Sequence, residues 1–219
     1  MEYVTFWGPG GLLEGFVHMP IGASDCPGIV VCHPDPRFRG DMHNQLVISI
    51  CEELAREGLA SLRFNFRGVG KSRVPHTEGE YGERTPGAYM YGVGDVDDTM
   101  AALRFISTYQ SVSESRLGVV GVSFGAKVAL KASLIADDVK GMALIGRMLV
   151  GDEIAIPKRE SLETLFILGA EDKFTDSYKR ILSNNLVKNV TVIDGCDQFF
   201  VDSEYVVGGV VASFLNQAL

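Results

Sequence analysis

The chain has 219 residues, 46% of them apolar, enough for one sizeable hydrophobic core and near the usual ceiling for a single domain. A formal charge of -8 argues against a polyanionic partner, because nucleic-acid binding draws most of its affinity from lysine and arginine at phosphates. No apolar run reaches the roughly 20 residues of a membrane span, and the opening Met1 to Trp7 lacks the basic and apolar stretches of a signal peptide, so a cytoplasmic protein without membrane partners is expected.

In chain order, Tyr3 to Trp7 and Leu12 to Met19 flank a glycine-rich turn and predict a hairpin. Gly28 to Cys32 is a continuous apolar run that suits a strand buried on both faces. Met42 to Glu57 places Leu46, Ile50 and Leu54 on one helical face and stops at Gly58. Leu59 to Phe66 is strand-like, Asp95 to Tyr109 helical, Leu117 to Val122 a buried strand and Ala126 to Ile135 a helix. Strands over Val139 to Ile145, Leu165 to Leu168 and Val190 to Ile193 follow, with helices over Asp176 to Asn184 and Ser203 to Asn216. This alternation predicts a single α/β domain: a mostly parallel central sheet, an antiparallel N-terminal hairpin and helices on both faces. In such sheets functional groups gather beyond the carboxyl ends of the strands. Cys26, Cys32, Cys51 and Cys196 show neither paired metal-site spacing nor a disulfide framework, so they read as reduced and buried, with no metal and no cofactor expected.

The strongest motif is Gly121-Val122-Ser123-Phe124-Gly125, a G-x-S-x-G between an apolar strand and an alanine-rich helix. On such a turn the serine hydroxyl is pushed out over the sheet, and the helix amino terminus offers amide hydrogens to an oxyanion. Asn65 to Ser72, N-F-R-G-V-G-K-S, imitates the end of a phosphate-binding loop. Asn65 stands where the first glycine is required, however, and Pro75, Gly79, Gly82 and Pro86 break the helix that would have to follow. The long segment 73–91 reads as either a loop overhanging the site or a solvated insertion.

With these motifs the chain resembles the α/β-hydrolase superfamily, and within it the small capless bacterial branch of simple esterases and dienelactone hydrolases. The resemblance covers most of the chain. It also takes in His33-Pro34-Asp35-Pro36, similar to the family's histidine-proline loop, and Gly169-Ala170-Glu171-Asp172, similar to its G-x-x-D. It implies Ser123 as nucleophile, Asp172 as triad acid, and the amides of Phe124 and Asp35 as oxyanion donors. The family often reads G-x-D-H-F-F before its last helix, whereas this chain reads Gly195-Cys196-Asp197-Gln198-Phe199-Phe200, with Gln198 at the histidine position. All four histidines, His18, His33, His43 and His76, precede Ser123.

A serine hydroxyl needs a base to accept its proton, and a glutamine amide can hold geometry but cannot take that proton. Gln198 is therefore an introduced substitution, or a natural change in a protein that kept the pocket for binding, or it is compensated by His33, His43 or His76 acting as a displaced base. A loop-shaping role is the other reading of His33. The resulting expectation is a carboxylesterase-type serine hydrolase with impaired turnover on small ester-like molecules; the alternative is a non-catalytic binding protein using the same pocket.

Overall fold

In a computed structural model of the protein, residues 1–72, 93–146, 159–184 and 189–219 are described, and the expected loop 73–91 lies outside them. The apolar runs fold into the strands they predict. β1 (Glu2–Gly8) and β2 (Gly11–His18) form the hairpin, and β3 (Cys26–Cys32) is buried at all seven positions. β4 (Ala60–Phe64), β5 (Val112–Val122), β6 (Val139–Ile145), β7 (Glu163–Gly169) and β8 (Asn189–Ile193) complete an eight-stranded sheet in the order β1-β2-β4-β3-β5-β6-β7-β8. From β4 to β8 every pairing is parallel, and β1 with β2 and β2 with β4 are antiparallel.

Five helices cover the sheet among the described residues: α1 (Gln45–Arg56), α2 (Val93–Ser107), α3 (Phe124–Ser133), α4 (Thr175–Asn184) and α5 (Glu204–Ala218). One core layer packs Ile50, Leu54, Val207 and Val211 of α1 and α5 on one face, and the other packs Leu103, Ile106, Val128 and Leu182 of α2, α3 and α4 on the opposite face. Two buried layers around parallel strands explain why those strands read as unbroken apolar runs rather than alternating ones.

The first helix begins three residues later than its apolar pattern predicts. The Asn44 side chain accepts from the amides of Leu46 (3.1 Å) and Val47 (3.3 Å) and caps the helix there. Ahead of it, Asn65 Oδ1 takes the Met42 amide at 2.9 Å, holding that residue in the loop.

The N-F-R-G-V-G-K-S turn binds a carboxylate of its own chain. Glu14 Oε1 accepts from the Lys71 amide (2.6 Å) and Asn65 Nδ2 (2.9 Å), while Ser72 Oγ donates to the Asn65 carbonyl at 2.7 Å. The Gly68 amide is held at 2.8 Å by the Ser72 carbonyl. Amides that would meet a phosphate are thus turned onto Glu14 and the loop itself. Beside them Arg67 forks onto Asp98, whose side chain is fully buried, at 2.7–3.1 Å. Burial opposes the Arg67 charge, but the hydrogen bonds and charge of Asp98 outweigh it, so the guanidinium pKa is raised.

Candidate active site

Ser123 sits between β5 and α3 with φ 54° and ψ -112°, a left-handed conformation that a side chain rarely adopts. The surroundings enforce it. The Ser123 amide donates to the Ile145 carbonyl at the end of β6 (2.8 Å), and its carbonyl accepts the Ala126 amide (3.0 Å). The flanking glycines are required by close approach. A Cβ at Gly121 would lie 2.2 Å from the Gly125 carbonyl oxygen, and one at Gly125 would lie 2.3 Å from the Cys32 oxygen and 2.6 Å from the His33 oxygen. The same absence of side chains presses the start of the His33-Pro34-Asp35-Pro36 loop against the amino end of α3. This brings the two elements that carry the Asp35 and Phe124 amides together.

His33 is wholly buried and shapes that loop. Its Nε2 accepts the Phe66 amide at 3.2 Å, so Nδ1 carries the proton and donates to the Pro34 carbonyl at 2.7 Å. Both ring nitrogens are therefore used by the fold, and the displaced-base expectation does not suit His33. His43 is exposed, with its ring 5.9 Å from that of Phe16 on β2. Three strand spacings, about 14 Å, separate β2 from β5. His76 lies outside the described residues.

Asp172 follows β7 in a tight turn, with Oδ1 accepting the Phe174 amide at 3.0 Å and its carbonyl accepting the Thr175 amide at 2.9 Å. That turn is stitched to the loop carrying Gln198. The Glu171 amide donates to the Cys196 carbonyl (2.8 Å), and a Cβ at Gly169 would lie 2.2 Å from the Asp197 oxygen. Asp172 and Gln198 consequently line one cavity of about 240 Å³, together with Glu171, Lys173 and Asp197. Ser123 is not among the residues lining it. It is linked to the Gln198 loop through Ile145 and Gly146, where a Cβ would stand 3.5 Å from the Gln198 carbonyl oxygen and 3.4 Å from the Phe200 ring.

Ser123 follows β5, Asp172 follows β7 and Gln198 follows β8, each beyond the carboxyl end of its strand, and all three are half-buried. Two contributions escaped the sequence: the Ile145 carbonyl that anchors the serine amide, and the Glu171 amide that ties the acid turn to Cys196. Both are backbone groups, so no residue type signals them. The cysteines are buried, with Cys32 and Cys51 pushed up by burial to about 12, far from a reactive thiolate. Among the described residues no cluster of His, Cys, Asp and Glu is arranged to hold a metal ion, and no helix is long and apolar enough to cross a membrane.

No family model matches the chain. An uncharacterized protein of Rickettsia prowazekii is 34% identical over 131 residues, which is 60% of this chain, and the match spans about half (49%) of that protein's length. Among solved structures, a protein of unknown function from Agrobacterium tumefaciens, described as a candidate α/β-hydrolase, is similar with TM-score 0.80 and 25% identity over 99% of this chain and 95% of its own. An α/β serine hydrolase homologue from Coxiella burnetii gives TM-score 0.78 and 26% identity over 97% and 96%. A serine hydrolase without a lid from Xanthomonas campestris shares the fold at TM-score 0.78 and 23% identity over 100% and 94%. The chain belongs to the α/β-hydrolase superfamily. A dienelactone hydrolase from Anabaena variabilis also shares the fold, at TM-score 0.73 and 16% identity over 100% of this chain and 97% of its own.

Proposed function

We propose that the protein is a serine hydrolase of carboxylesterase type, acting on small esters through Ser123, with turnover held down by Gln198. The observation that carries this reading is the Ser123 backbone at φ 54° and ψ -112°, since strain of this kind persists only where the surroundings impose it and concentrates at reacting groups. The Ser123 oxygen attacks the acyl carbon, and the amides of Phe124 and Asp35 receive the negative charge that develops on the carbonyl oxygen. A glutamine at the relay position offers an amide carbonyl that can accept a hydroxyl and an NH2 group that can donate to a carboxylate. This keeps the orientation but supplies neither a base for the serine nor an acid for the leaving group.

A second reading, a binding protein that keeps the pocket without the reaction, is favoured by the same Gln198. Hydrolysis of p-nitrophenyl acetate by the parent chain and by Ser123→Ala separates the two. The hydrolase reading expects slow turnover that Ser123→Ala abolishes, whereas equal rates for the two proteins leave only the binding reading.

A further inference from the structure

A helix on the surface of a globular domain normally carries charge on its outer side. α1 and α4 do, with Glu52, Arg56, Asp176 and Lys179 in solvent. α5 does not: from Tyr205 to Leu219 it contains no charged side chain, on a chain of net charge -8. Its inner side buries Val207, Val211 and Leu215 in the core. Its flank stays apolar through the half-buried Val206, Val210 and Phe214, and Tyr205 is 66% exposed. A helix that is apolar on both sides is built to be covered on both.

Beside that flank the sheet ends. β8 is the edge strand, and Asn189–Ile193 contains no charged residue and no proline, the devices that commonly blunt an edge. Its register puts Asn189 and Thr191 on the same face as Leu165 and Ile167, which pack under α5. An open groove of about 830 Å³ lies between them, with Leu165, Asn189 and Thr191 on one side and Val206, Gly209 and Val210 on the other. It follows α5 from Tyr205 to Gln217, about 20 Å of helix. Glu53 of α1, the charged side chain on its lining among the described residues, is paired with Arg56. At Gly209 a Cβ would meet no atom within 4 Å. Glycine weakens a helix interior relative to alanine, and no contact within the described residues requires it here, so the position fits a backbone that approaches from outside.

We propose that a second copy of the chain covers this face, in a two-fold dimer in which α5 of each subunit lies in the groove of the other. A two-fold interface requires one face to carry both a recess and what fills it. This face carries both: the groove is about as long as α5, and α5 is the uncharged ridge beside it. Charge favours a like partner as well. Two chains of net charge -8 repel each other, and they meet at least cost where neither brings charge, which is the composition of α5 and β8. At Gly209 the two helices can pack at the short end of the usual axial separation of about 8–10 Å.

Sedimentation velocity of the full chain from about 1 to about 100 μM reads the assembly. The parent is expected as a pair of chains at the upper end. It should pair more tightly in about 500 mM than in about 50 mM NaCl, because salt screens the repulsion between acidic subunits and finds no ion pair to weaken in the interface. Gly209→Leu fills the close approach, and Ser213→Arg puts a charge on an exposed position of α5. Each should weaken association at least about tenfold. Because a Cβ at Gly209 meets nothing within the chain, Gly209→Leu should melt no lower than the parent at the lowest concentration, which separates loss of the dimer from loss of the fold. Should it melt lower, Ser213→Arg reads the same interface. A parent that is monomeric at every concentration overturns the inference, as does a dimer that both variants leave intact or that salt dissociates. A monomeric parent that binds phosphatidylcholine vesicles, with binding lost in Gly209→Leu, would overturn it in favour of a lipid surface.

Discussion

Replacing Ser123 by glycine should make the protein more stable than replacing it by alanine. Both variants remove the hydroxyl, so the difference between them isolates the backbone at φ 54° and ψ -112°. Holding a residue with a Cβ in such a region costs about 1–3 kcal/mol, and glycine is released from that cost. Against this, glycine gives the unfolded chain extra freedom worth about 0.5–1 kcal/mol. The net advantage of Ser123→Gly over Ser123→Ala is about 1 kcal/mol, and for a domain of this size that corresponds to a Tm about 2–4 °C higher. Thermal unfolding of the two variants side by side, followed by circular dichroism at one scan rate, reads the difference. A Ser123→Ala protein as stable as Ser123→Gly, or more so, would show that the serine backbone is not strained and would remove the observation on which the nucleophile assignment stands.

Two further outcomes follow from the packing. Gly125→Ala forces a Cβ toward the Cys32 and His33 oxygens, which are backbone atoms that cannot swing away. It is expected to cost about 1–3 kcal/mol in urea unfolding and to lower Ser123-dependent activity by displacing the Asp35 loop. His18 is buried with Nε2 accepting from Arg63 Nε at 3.0 Å, and burial followed by the Arg63 charge brings its pKa from 6.5 down to about 4. Because the folded value lies below the unfolded one, the unfolded chain binds more protons between them. Stability is therefore full above about pH 6.5 and falls as pH drops toward 4, by at most about 3 kcal/mol. His18→Gln, whose carbonyl can still accept from Arg63, should show a shallower loss between pH 6.5 and 4.5 in urea titrations; an unchanged slope would place the acid sensitivity elsewhere.

The sheet and its helices were readable because burial on both faces demands continuous apolar strands, as in Val30, Val119 and Ile167, each with no exposed surface. Boundaries shifted where a side chain outside the apolar pattern decided them, as Asn44 does for α1. β5 runs back to Val112, beyond its apolar stretch, through a bridge to Cys26 that only the folded sheet supplies. The serine turn was readable because its geometry needs glycine at both flanks, and sequence records that need directly. The role of Glu14 was hidden: a carboxylate within an apolar hairpin strand gives no hint that its partners, Asn65 and Lys71, are more than fifty residues away.

The central claim is that Ser123 is a nucleophile whose proton relay is broken at Gln198 alone. Steady-state hydrolysis of p-nitrophenyl acetate by Gln198→His, with Ser123→Ala/Gln198→His as control, tests it most directly. A working imidazole between Ser123 and Asp172 should raise kcat on the order of 10²–10⁴-fold, with all of the gain lost in the double variant. A Gln198→His protein no faster than its parent would contradict the account, since the remaining machinery would then be absent as well.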